Sequence, residues 1–181
     1  MPEPVVITPP AGYAVTLAEA KVFLGLESGF TDHDEMIEDI LIPAASDAAE
    51  AYMWRKIMSQ TWVLDFFGFP EESALLLSYD ARKPAVISYV DTLGDPQIVE
   101  DEVFEIVYGR LCLAKYQDWP LIEPESVISI EYSRGWPEDE VPKAVKTAML
   151  SLIYRQYETR CAAAGDGFFG ILSPYRLFEV T

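Results

Sequence analysis

The sequence predicts an α+β fold, a small α-helical bundle with an inserted antiparallel β subdomain. Three observations predict it. Apolar residues recur at helical spacing through about residues 16–57 and again over 142–160. Between about 60 and 133 they fall into short alternating or continuous runs. Turn signals such as "DTLGDP" and "YGR" cut that middle block into pieces too close together for the crossovers of a parallel sheet. At 181 residues, half of them hydrophobic, one domain spanning 1–181 with an elaborated insertion is expected.

The elements follow in order. After a Pro-rich lead, "VTLAEAKVFLGL" opens with Thr16 and has Glu19 three residues later. That is capping-box spacing, in which each side chain satisfies an orphan backbone donor of the other residue. Leu17, Ala20, Phe23 and Leu24 keep helical period, and Gly25 is the expected stop. A second start is expected at Asp32, with Glu35 at the same spacing. It leads into a helix over about 33–57 with Ile37, Ile40, Leu41, Ala44, Ala45, Ala48 and Tyr52 on one face. Pro43 lies inside it, lacks a donor and crowds the carbonyl of Asp39, so a kink is expected there.

Strand-like runs follow: "SQTWVLDFF", "ALLLS", "AVISYV", "QIVE", "FEIV", "RLCLA" and "VISIEYS". Helical period returns at "VPKAVKTAMLSLIYRQYETR", where Pro142 suits a first turn. Its stripe is Val145, Ala148, Met149, Leu152, Ile153 and Gln156. "AAAGDG" ends this helix and is expected to act as a hinge before a tail at about 165–181. The tail carries Ile171, Leu172, Tyr175, Leu177 and Phe178, and so needs a packing partner, either its own core or another molecule.

Composition narrows function. The net charge is −17 and is unevenly spread. Residues 61–140 hold 17 acids against 5 bases, whereas residues 141–181 hold 3 acids against 5 bases. Nonspecific nucleic-acid binding needs cations to neutralise phosphates and is not expected here. The polarity instead suits a subunit whose one end meets acidic surface while the rest repels it. No apolar run reaches the roughly 18 residues that span a membrane. The first residues lack the basic start and apolar stretch of a secretion signal, so a cytosolic origin and reduced Cys112 and Cys161 are expected.

The search for chemistry returns little. His33 is the sole histidine, and a zinc site of four Cys or His ligands cannot be assembled from it and two cysteines. Its place in a first helical turn predicts a solvated side chain, not a catalytic base. The acids Asp32, Asp34, Glu35, Glu38 and Asp39 support an alternative reading, a carboxylate-dependent metal hydrolase using residues 32–39. Their spacing lacks the glycine and distal glutamate of an EF-hand, and acids at a helix start also favour the helix dipole. There is no phosphate-binding glycine loop. Trp62, Tyr79, Tyr89, Phe104, Trp119 and Tyr132 are expected to pack a small sheet; base-stacking would need basic neighbours, and theirs are acidic.

Several stretches in one order carry a resemblance. They are "VTLAEAKVFLGL" (15–26), an acidic turn and an alanine-bearing helix, "QTW" (60–62), "ISYVDTLGD" (87–95), "YSRGW" (132–136), "VPKAVKTAMLSLIYRQYETR" (141–160) and "ILSPYR" (171–176). Together they resemble the head–tail connector, or adaptor, proteins of long-tailed phages and gene transfer agents. The segments 70–85 and 112–126 depart from that pattern.

The resemblance implies a structural virion protein without enzymatic activity and without a cofactor. It would form a ring of about twelve copies under a portal protein. A tail-side stopper or tail protein would bind below, and DNA would pass through the channel without being specifically bound. It implies residence at the head–tail junction of a virion or gene-transfer-agent particle, and in the host cytoplasm before assembly. The tail is then expected to dock on a partner through Ile171, Leu172, Pro174, Tyr175, Arg176, Leu177 and Phe178. No membrane partner is implied.

Overall fold

A computed structural model describes residues 3–69, 74–123, 126–160 and 166–177. The chain divides into two compact units. One comprises residues 1–9 and 59–135, the other residues 10–58 and 136–181. The first is the β unit and the second the helical unit.

The helical unit begins with α1 (Leu17–Leu24). Thr16 and Glu19 form the capping box in both directions, and Gly25 closes the helix in the left-handed conformation at φ 71°. Next comes one continuous helical stretch in three parts: α2 (Asp34–Met36), a π-helical turn (Ile37–Leu41) and α3 (Ile42–Met53). The kink expected at Pro43 is realised as this π turn. Pro43 offers no N–H to the carbonyl of Asp39, and widening the preceding turn lets the Ile42 N–H bond to Ile37 O instead.

The π turn also shifts the phase of the helix. Glu38, Asp39 and Ile40 all face solvent in succession, and Ile40, expected on the core face, is 60% exposed. The stretch stops at Met53 rather than 57, with Trp54 in the left-handed conformation. Its start is capped by no side chain, so the Asp32 and Glu35 pair does not act as a second capping box.

After the β unit, α4 (Lys143–Thr159) buries Val145, Ala148, Met149, Leu152 and Ile153 on the expected stripe. α5 (Asp166–Leu172) and a 3-10 turn (Ser173–Tyr175) follow. These helices enclose a core containing Ile37, Ala45, Met53, Val145, Met149 and Leu172. The expected hinge falls largely on residues 161–165, outside the described residues, as does Cys161; Cys112 is a free, half-buried thiol.

The β unit holds two antiparallel sheets. β1 (Val5–Thr8), β2 (Gln60–Phe67), β4 (Arg82–Val90), β5 (Pro96–Ile98) and β8 (Val127–Arg134) form one in the order β1-β2-β8-β4-β5. The other is β3 (Ala74–Leu76), β7 (Arg110–Leu113) and β6 (Phe104–Val107). Central β8 pairs Trp62 with Tyr132 and Leu64 with Ile130 on one side, and Ile87 with Ile130 on the other. Leu64, Ile87, Phe104, Leu111, Ile128, Ile130 and Tyr132 make its core.

The β6–β7 turn needs its glycine. Tyr108 and Gly109 both have positive φ, as a two-residue hairpin turn requires, and a Cβ on Gly109 would lie 1.8 Å from Ser78 O. The Pro-rich lead, to which the sequence assigns no element, supplies β1.

Candidate partner interface

Every described residue expected to dock on a partner lies in the helical unit, and the segment that carries them is folded onto that unit's own core. α5 spaces Phe168 and Leu172 four residues apart, one helical turn, so both point inward. Leu172 is fully buried. Phe169 meets the Tyr52 ring at 4.7 Å, and Tyr175 stands edge-on to Trp136. Leu172 thus packs into this unit's own core, one of the two packing partners that the sequence left open for the tail. Phe178 lies outside the described residues.

Backbone chemistry explains where the segment lands. The last carbonyls of a helix lack intrahelical donors. At the end of α3 one is satisfied by the tail: the Leu177 N–H donates to Met53 O at 2.9 Å. Cations gather at the same helix end, where the dipole favours them. The Arg176 guanidinium lies over the rings of Tyr52 and Trp54, at 5.2 and 5.6 Å. Arg55 lies 4.0 Å over Trp136 and donates to Tyr175 O. Glu50 accepts from Lys56 Nζ at 2.8 Å and from the Ile57 N–H at 3.0 Å, fixing the chain as it leaves α3.

What remains outward is a short apolar ridge. Ile171, Ser173 and Pro174 are exposed, while Tyr175, Arg176 and Leu177 are half-buried. Trp54, more than half exposed in its left-handed cap, borders the ridge through Arg176. Sequence reasoning missed Trp54, because a tryptophan at positive φ leaves no pattern.

The residues weighed for chemistry disperse. His33 is not solvated. Its Nδ1 is 2.7 Å from the Tyr157 hydroxyl, and Phe30 stands edge-on at 5.0 Å. Asp34, from the acidic cluster, pairs with buried Lys21 at 2.8 Å, and Lys21 also donates to Phe30 O. Among the described residues, no three of His, Cys, Asp or Glu gather closely enough to hold a metal ion. Among the described residues no helix is long and apolar enough to cross a membrane.

No family model matches the chain, and no curated protein matches it. Solved structures do. The chain is similar to one from the neck of an empty gene transfer agent particle computed with C6 symmetry. The TM-score is 0.74 at 20% identity, covering 99% of this chain and 97% of that one. A chain from the virion of a native gene transfer agent particle gives 0.74 at 19% identity, covering 98% and 97%. One from the neck of the native particle computed with C12 symmetry gives 0.73 at 18%, covering 99% and 97%. The fold of the chain is thus that of gene-transfer-agent neck proteins over nearly its whole length.

Proposed function

We propose that this chain is a structural virion protein of the particle neck, a ring-forming adaptor between a portal protein and the tail-side stopper or tail protein. The observation that carries this reading is the near-complete coverage of the fold likeness in both directions. Helical unit, β unit and C-terminal segment are all accounted for by chains from symmetric neck assemblies. An isolated shared motif would not require such an assembly; a matched whole chain supports one.

In this reading the neck surrounds a DNA channel, and the acidic chain keeps phosphates from sticking to its wall. The protein performs no catalytic step and holds no cofactor. The ridge of Ile171 and Pro174, with Trp54 beside it, is the portal-facing contact. Arg176, Tyr175 and Leu177, half-buried, hold that ridge in place.

The test is electron microscopy of the protein mixed with its portal protein. Rings of the chain stacked under the portal are the expected result. A chain that stays monomeric beside assembled portals would overturn the proposal. The contact is tested separately by Ile171→Asp and Pro174→Asp, each expected to weaken portal binding while leaving the melting temperature unchanged.

A further inference from the structure

A hollow in the helical unit opens beside the ridge. It is lined by Ser151, Leu152 and Arg155 of α4 and by Gly167, Phe168 and Ile171 of α5. Leu152 and Phe168 belong to the buried core, whereas Arg155 and Ile171 are exposed. The space is about 230 Å³, below the usual size of a small-molecule site and on the scale of an inserted side chain. Gly167 leaves it open, since a Cβ added there would meet nothing within 4 Å.

Arg155 is the one charged residue of this lining. Among the described residues no carboxylate pairs with it, and its guanidinium makes no hydrogen bond. The other cations of the base-rich C-terminal fifth are engaged or distant. Lys146 reaches Glu19 at 3.5 Å, Arg160 lies 5.4 Å over Tyr157, and Arg176 lies over Tyr52 and Trp54. Lys143 begins α4, roughly 18 Å along the helix axis from Arg155. The Ser151 hydroxyl already donates to Thr147 O at 2.8 Å. The hollow thus offers an apolar floor and one unengaged guanidinium, whose planar fork of N–H donors matches a carboxylate.

We infer that this hollow receives a segment of the portal protein carrying an apolar side chain with a carboxylate beside it. The side chain enters over Leu152 and Phe168, and Arg155 takes the carboxylate. The inference rests on the adaptor reading above and names what the portal brings to that contact. Two observations select the occupant. Ile171 belongs both to the hollow and to the portal-facing ridge, so what covers the ridge covers the hollow. A free guanidinium beside apolar surface is complemented by a carboxylate. A second copy, the other acidic candidate, is opposed by the net charge of −17 that each chain carries. Arg176, the arginine expected to dock, is half-buried over Tyr52 and Trp54, and Arg155 takes that role.

Binding of the full chain to its portal protein, measured by biolayer interferometry at low and high salt, tests it. Arg155→Ala should weaken binding by about tenfold and flatten its salt dependence, with the melting temperature unchanged. Arg155→Lys keeps the charge but loses the paired hydrogen bonds, and should fall in between. Gly167→Leu should fill the hollow and weaken binding as much, again without loss of stability. Arg155→Glu should abolish binding, and an Asp→Lys or Glu→Lys variant of the portal should restore it. Wild-type affinity in both the Arg155→Ala and Gly167→Leu chains would overturn the inference; rings of those chains under the portal would leave the adaptor reading standing. A wild-type chain that does not bind portal would remove both. Variants that bind portal normally yet fail to form rings would give the hollow to a second copy, and so overturn the portal as its occupant.

Discussion

Tyr132 is fully buried at the centre of the β unit, with its hydroxyl donating to Leu77 O at 3.4 Å. Burial raises its ionisation to about 12, helped by Asp80 and opposed by Arg134. The folded state therefore holds this proton more tightly than the unfolded chain does. The stability it contributes is complete below pH 10 and is lost as pH climbs toward 12. Tyr132→Phe should remove that part of the alkaline unfolding, measured by circular dichroism across pH 9–12; an unchanged alkaline profile would contradict it.

Nearby, Asp80 accepts from Arg134 Nε at 2.7 Å and from the Ser78 hydroxyl at 2.6 Å, with its side chain wholly buried. Asp80→Ala should cost about 3–5 kcal/mol in urea unfolding, because it leaves a half-buried guanidinium without its carboxylate. Asp80→Ala combined with Arg134→Met should recover part of the loss. Tyr132 was legible as a core residue from its place in an alternating run. The Asp80–Arg134 pair was not, since 54 residues separate partners that only strand register brings together.

At the scale of elements, periodicity located α1, α4 and most strands, because in each the apolar spacing and the flanking punctuation agree. It failed where they conflict. "VVIT" sits among prolines and reads as a lead, yet it pairs with β2 as an edge strand, where prolines are tolerated. In the second helix an ideal period puts Ile40 inward, while Pro43 forces the wider turn that puts it outward. Pro43→Ala restores a donor and removes the ring clash. It should return the segment to α-helical register, protecting the Pro43-position amide from hydrogen exchange; persistent π-type exchange would show another cause.

The C-terminal segment is likewise decided by packing. An apolar tail after glycines reads as an arm, with its own core as the alternative, and what places it on the core is the α3 terminus, a carbonyl acceptor in need of a donor. Leu172→Ala should therefore cost about 2–5 kcal/mol, on the scale of a deleted core side chain. Loss of portal binding without loss of stability in that variant would show the tail to be unpacked in solution.

For the whole molecule, charge remains the dominant fact. A net charge of −17 opposes close approach of copies, so the isolated chain should be monomeric at moderate concentration and low salt. Duplex DNA should not shift in a gel at low salt. Micromolar binding that weakens steeply as salt rises would instead reveal a cationic surface. The excess of bases in the last fifth was visible in the sequence, but their distribution was not. Lys146 pairs with Glu19 and Arg155 lines a hollow with Phe168 and Ile171, whereas Arg176 lies over Tyr52 and Trp54 at the end of α3.

The bond from Leu177 to Met53 joins residues separated in sequence by residues 59–135 of the β unit. Helices α1 to α3 leave the ribosome well before Leu177, the donor that completes α3. Such long-range closure comes late in folding. A chain truncated by premature termination or nicked by a protease lacks the cap, and with it the support of Ile171 and Pro174. The helical unit is thus completed by a contact that can form only once residue 177 has been made and has returned to the end of α3.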